Sequence, residues 1–247
     1  MRYLLSLSYD GSAFCGWQIQ PSSPSVQQCL EEALTKLCGG PVAVTGAGRT
    51  DTGVHAADYV CHFDLTGPLP FEASDFCYKL NAILPRSVVV SQVVPAAPDF
   101  HARFDAVRRE YTYFIHREKD PFVEAFSWQC GYPGLDFEAM NAAAGMLVGT
   151  HDFSCFEKVG ADNKTSVCTV FEAYWAQYTP SLYAIMTPEQ GSLSAPLPPR
   201  TRPTQKTSAE RLPVSGDTPS AKSKGPNRSL AGESVPGHAL FLSKVEY

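Results

Sequence analysis

The sequence has no C-x-x-C pair: its eight cysteines, at 15, 29, 38, 61, 77, 130, 155 and 168, stand far apart. That spacing argues against a zinc ribbon and a small disulfide scaffold, and it leaves buried free thiols as the expected state. No apolar run approaches the roughly 18 residues a membrane-spanning helix needs, and Met1-Arg2-Tyr3-Leu4-Leu5-Ser6-Leu7 is too short and too interrupted for a signal peptide. A soluble, cytoplasmic chain with no membrane partner is therefore expected. Excess positive charge is missing too, since 20 Lys and Arg against 25 Asp and Glu leave a net charge of -5. The totals do not advertise a nucleic-acid partner, although local patches count for more than totals. The G-x-S-x-G elbow of serine hydrolases is also absent.

What is present supports a substantial core. The 247 residues are 44% hydrophobic, enough for one large domain or two small ones. Tyr3 to Tyr9 is rich in apolar and aromatic residues and stops at Asp10-Gly11, which reads as a strand and a turn. Ser25 with Gln28 three residues on predicts a capping box, and Val26, Leu30, Ala33, Leu34 and Leu37 then share one helical face until Gly39-Gly40 ends it. Val42 to Thr45 and Val54 to Phe63 read as strands, Phe71 to Leu80 as a helix, and Val88 to Val94 as another strand. This β-α-β-β-α-β order is that of the ferredoxin-like unit, an antiparallel sheet with both helices on one face.

The second half begins alike. Arg109 to His116 reads as a strand, Met140, Ala143, Ala144 and Leu147 repeat at helical spacing, and strands are predicted at Val167 to Gln177, Leu182 to Met186 and Ala239 to Val245. The expected class is α+β: two tandem ferredoxin-like halves with antiparallel sheets, the second half lacking a readable second helix. Residues 1–105 make the N-terminal half, and 106–186 with 237–247 the C-terminal half. Residues 187–236 are crowded with Pro, Ser, Thr, Lys and Arg without helical period, so a low-complexity, disordered segment is expected there.

Between the second and third strands lies Gly46-Ala47-Gly48-Arg49-Thr50-Asp51-Thr52-Gly53-Val54-His55. Three glycines in eight residues permit close backbone approach to a ligand and leave Arg49 and Asp51 as the charged side chains on show. Local composition fits an ordinary turn equally well. His55, Cys61 and His62 raise the question of a metal, but neighbours along an alternating strand point to opposite faces, so no metal is expected. Arg103, Arg108, Arg109 and Arg117 form a basic cluster suited to phosphate contact or to a solvated strand edge, with Arg103 and Arg109 as candidate binding residues.

Several of these motifs occur together. Tyr9-Asp10-Gly11 with Gly16-Trp17-Gln18, Ser25-Val26-Gln27, the stretch from Gly46 to His55, Asn81-Ala82-Ile83-Leu84-Pro85, Phe100-His101-Ala102-Arg103-Phe104 and Arg109-Glu110-Tyr111-Thr112-Tyr113 resemble the tRNA pseudouridine synthase A family. The likeness runs over residues 1–186 and returns at 229–247, where Ala231-Gly232-Glu233-Ser234 and Gly237-His238-Ala239-Leu240 are similar to the family's end. The resemblance implies isomerisation of uridine to pseudouridine in the anticodon stem-loop of tRNA, by a homodimer, with no cofactor and no catalytic metal. Asp51 then matches the essential aspartate, which attacks C1′ or removes a sugar proton. A carboxylate with an ordinary pKa of about 3.9 is ionised at neutral pH and suits either task. The resemblance also implies Arg49 as its partner and Tyr111 as the platform on which the flipped uridine stacks. After Leu182 to Met186 it implies a helix bearing Met-Val-Arg, a tripeptide that residues 187–236 do not contain. The rival expectation is accordingly a catalytically inactive tRNA-binding protein.

Overall fold

A computed structural model describes residues 1–156, 165–178, 202–210 and 235–247. Strand β1 (Arg2–Tyr9) alternates strictly, with Tyr3, Leu5, Leu7 and Tyr9 buried, as one face of a pleated strand against a core requires. Helix α1 (Val26–Cys38) starts at Ser25, whose Oγ accepts from the Gln28 N–H at 3.3 Å, and ends at Gly39, whose φ of 72° is the left-handed turn that releases the chain. Only half of the expected capping box forms. The Gln28 side chain runs along the helix to Glu32, 2.9 Å away, because that i,i+4 partner is in reach of an extended amide.

Strands β2 (Val44–Gly46) and β3 (His55–Asp64), helix α2 (Ala73–Ile83) and strand β4 (Val88–Pro95) complete the first half. Its sheet order is β4-β1-β3-β2, all antiparallel. Helix α1 buries Val26, Leu30, Ala33 and Leu34, and α2 buries Phe76 and Leu80, in the same cluster as β1 and β3. Each large side chain contributes about 1.5 to 3 kcal/mol.

The remaining elements are β5 (Arg108–His116), β6 (Trp128–Gln129), α3 (Phe137–Gly145), β7 (Gly149–Asp152), β8 (Val167–Tyr174), β9 (Gln177–Tyr178), β10 (Arg202–Glu210) and β11 (Leu240–Glu246). The class is α+β, with one mixed sheet ordered β4-β1-β3-β11-β5-β10-β8-β7. Not every pairing is antiparallel: β11 with β3 and β5 with β6 are parallel. Strand β10 falls inside the segment whose composition suggests disorder. Between β5 and β8 its backbone pairs on both sides, and such pairing holds an extended chain without any apolar pattern. The expected strand Leu182 to Met186 lies outside the described residues, as do 187–201 and 211–234.

One edge of β3 is shared. Strand β2 pairs with its later part, Val44 to Phe63 and Gly46 to Cys61, while β11 pairs with its start, Phe241 to His55 and Leu242 to Ala56. The loop 47–54 leaves the sheet between these two pairings. Among the described residues no helix is long and apolar enough to cross a membrane. Only Cys61 and Cys130 of the eight cysteines are buried; the other six, expected to be buried, are partly exposed.

Candidate active site

The loop 47–54 is bonded into the core on both shoulders, with its charged side chains left outside. On the entry side, the Ala47 N–H donates to the Val60 carbonyl at 2.8 Å. The hydroxyl of buried Tyr59 donates to the Gly48 carbonyl and accepts from the Gly48 N–H at 3.4 Å. Trp17 stacks on Tyr59 with ring centroids 4.2 Å apart. In the middle, the Tyr9 hydroxyl meets Thr50 Oγ1 at 2.9 Å, and the Trp17 N–H donates to the Thr50 carbonyl at 3.2 Å. On the exit side, the Gly53 N–H donates to Phe14, and the Val54 N–H closes the turn onto the Asp51 carbonyl at 3.2 Å. Asp51 and Arg49 are both exposed at the tip. Gly16 has φ 92°, and a Cβ there would stand 2.3 Å from the Thr50 oxygen, so this approach of two backbones requires glycine.

Burial pushes the Tyr9 and Tyr59 phenols well above their ordinary pKa, and nearby Tyr111 adds to both shifts. Both hydroxyls therefore stay protonated across the physiological range and keep their grip on the loop. Tyr111, on β5, is half-buried against the main core that also holds Tyr9 and Tyr59. Tyr113, two residues on, belongs to a different cluster and donates to the Pro236 carbonyl at 3.1 Å. Removing only the Tyr59 hydroxyl leaves Gly48 unsatisfied at the root of the loop. Tyr59→Phe is expected to lose about 1 to 3 kcal/mol in urea unfolding and to lower kcat more than it changes KM, since its ring and packing remain.

Arg109 extends from β5 back to this loop. Its Nη2 donates to the Ala47 carbonyl at 2.7 Å and to the Arg103 carbonyl at 2.8 Å, and its Nε reaches Ala47 at 3.2 Å. It is thus a brace between the loop and the turn 101–105, as well as a candidate RNA contact. The Arg103 side chain is half-buried, its guanidinium 5.8 Å from the Phe104 ring. Sequence reasoning does not find the brace or the Tyr59 anchor. An arginine in a basic cluster looks outward-facing, and a strand tyrosine looks like core.

His55 closes the loop from behind. It is 1% exposed, its Nε2 lies 2.9 Å from the His238 carbonyl, and its Nδ1 takes the Gly11 N–H at 3.1 Å. The ring stacks on Phe241 and touches Phe126. This geometry assigns the Nε2–H tautomer, with Nδ1 as acceptor. Burial pushes the His55 pKa below the ordinary 6.5, outweighing the bond to His238 and the attraction of Asp10, 3.1 Å away. Burial also lowers His62, helped by Arg2 and His101, and the His62 Nδ1 is taken up by the Ala102 N–H at 3.1 Å. Among the described residues no group of three or more His, Cys, Asp or Glu is placed to hold a metal ion.

These two shifts have a definite sign. The unfolded chain binds protons at about pH 6.5, where the folded histidines still resist them, so their contribution is complete above that pH and is lost as pH falls. Thermal melts are expected to show a Tm level above pH 7 and falling below 6.5. His55→Asn should lower the Tm throughout but reduce that slope, and an undiminished slope would clear His55 of the effect.

The sequence matches the family described as tRNA pseudouridine synthase over residues 6–105 and 143–192. The tRNA pseudouridine synthase A of Porphyromonas gingivalis is 39% identical over 258 residues, covering all of this chain and 97% of its own length. That of Parabacteroides distasonis is 40% identical, covering all of this chain and 96% of its own, and that of Bacillus subtilis is 37% identical, covering all of this chain and 99% of its own. Each of these relatives bears a synthase name, and none supports the rival expectation of a catalytically inactive tRNA-binding protein.

Proposed function

Because this chain belongs to the tRNA pseudouridine synthase family, we propose that it isomerises uridine to pseudouridine in the anticodon stem-loop of tRNA, with Asp51 as the reacting carboxylate. The observation that carries this reading is an exposed Asp51 at the tip of a loop bonded into the core on both shoulders. A reacting group held this way loses little further freedom when it meets its substrate.

The reaction breaks the N1–C1′ bond, turns the uracil, and joins C5 to C1′. The hydrogen on C5 leaves as a proton while N1 gains one, so the electrons balance without an oxidant. Asp51 either attacks C1′ or takes a sugar proton, and a carboxylate on a firmly supported loop serves both routes. Arg49, two residues away on the same exposed tip, supplies the positive charge that steadies it. Tyr111 offers its ring to the flipped base, where stacking returns about 1 to 3 kcal/mol. Arg103 and Arg109, bonded to each other beside the loop, bring charge to the RNA phosphates.

The β4-β1-β3-β2 order of the first half supports a ferredoxin-like unit there, and the family resemblance supports a second such half, a homodimer and a cytoplasmic site of action. Tritium release from tRNA labelled at uridine C5 tests the activity, with chemical mapping of pseudouridine to locate it. Release from the anticodon stem-loop is the expected result. No release from any tRNA would overturn the reading.

A further inference from the structure

We infer that Phe104 is a stacking platform for a nucleobase next to the flipped uridine. This rests on the RNA-modifying reading above and adds a contact outside the Asp51 loop. Phe104 is 70% exposed, and single exposed apolar residues are common enough to need no explanation. What sets this one apart is the rigidity of its support. The Phe104 and Asp105 N–H groups both donate to the His101 carbonyl, at 3.1 and 3.0 Å, and the His101 N–H donates to the Asp105 carboxylate at 2.7 Å. The Ala102 N–H is fixed by His62 at 3.1 Å, and the Ala102 carbonyl by the Tyr247 hydroxyl at 2.8 Å. A turn that only reversed the chain would need one such bond.

The ring on this turn is preorganised. His101 lies against it at 4.3 Å between centroids, the Arg103 guanidinium stands 5.8 Å away, and most of the ring faces solvent. An aromatic face beside a guanidinium is the combination that binds unstacked bases together with their phosphates. Position argues for RNA over a protein partner. A single nitrogen of Arg109 bonds both the Arg103 carbonyl and the Ala47 carbonyl, so the turn is continuous with the Asp51 loop. Flipping a uridine strips one stacking face from each of its neighbours. A fixed ring on the turn that Arg109 ties to the Asp51 loop replaces that face.

Steady-state kinetics on tRNA should show KM rising about tenfold for Phe104→Ala, with kcat within about twofold of the parent chain. Phe104→Trp should restore KM, while Phe104→Leu should behave as the alanine variant because it lacks a π face. A tRNA with 2-aminopurine beside the target uridine should lose fluorescence on binding the parent chain and keep it on binding Phe104→Ala. An active parent chain with an unchanged KM in Phe104→Ala overturns the platform and leaves the function standing. Parent-like affinity in Phe104→Leu overturns stacking in favour of plain apolar contact, and a drop in sedimenting mass for Phe104→Ala assigns the ring to a second copy of the chain instead. A parent chain that neither binds nor converts tRNA removes the functional reading and the platform with it.

Discussion

Asp51→Ala is expected to hold tritium release at the level seen without enzyme, a loss of about four orders of magnitude or more. Its unfolding midpoint should stay within about 0.5 kcal/mol of the parent, because an exposed carboxylate at a loop tip contributes little to the core. The combination matters more than either number. Tyr59, Tyr9, Trp17 and Phe14 hold the loop through residues 48, 50 and 53, and none of those bonds uses the Asp51 side chain. Asp51→Asn should be as inactive as the alanine variant, since it keeps the shape and removes the charge. Asp51→Glu keeps the charge but displaces it by about one bond length, and should retain roughly a hundredth of the rate. If Asp51→Asn released tritium at the parent rate, the carboxylate would not be the reacting group.

Gly16→Ala is the second large effect, and here stability and activity should fall together. The φ of 92° costs an L side chain about 1 to 2 kcal/mol. The new Cβ, 2.3 Å from the Thr50 oxygen, adds about 1 to 3 kcal/mol of overpacking that only a backbone shift can relieve. The segment that must shift is the neighbour of Asp51, so a displacement near 1 Å should lower kcat about a hundredfold. Gly39→Ala is the control: its φ is 72°, yet nothing lies within 4 Å of the added carbon. It should cost about 1 kcal/mol in urea unfolding and leave kcat alone. Equal losses of activity in the two variants would refute the steric route to the loop.

The first half is legible in the sequence because its signals are local. Ser25 and Gly39 mark the two ends of α1, the alternation from Tyr3 to Tyr9 marks β1, and three glycines around Arg49 and Asp51 mark the loop. What holds that loop is not local. His55 reaches a carbonyl 183 residues away, and Arg109 reaches Ala47 from 62 residues away; no spacing rule joins such positions. Strand β10 is illegible for another reason. Its sequence, Arg-Pro-Thr-Gln-Lys-Thr-Ser-Ala-Glu, carries no apolar alternation, and its place comes from backbone pairing with β5 and β8. Gln28 shows that even a local motif holds only in part, since the N-cap bond forms while the return bond goes to Glu32.

The shared edge of β3 sets a timetable. During synthesis, residues 1–105 emerge first and contain everything needed for the β4-β1-β3-β2 sheet, yet the segment of β3 beside the loop waits for Phe241 and Leu242. At about 5 to 20 residues per second, the gap between His55 and His238 is roughly 10 to 40 s of translation. Over that interval the nascent chain carries the loop 47–54 with one flank unpaired, and the long-range closure that finishes it is the slow kind of contact. The loop 47–54 is thus among the earliest segments made and among the last to be completed.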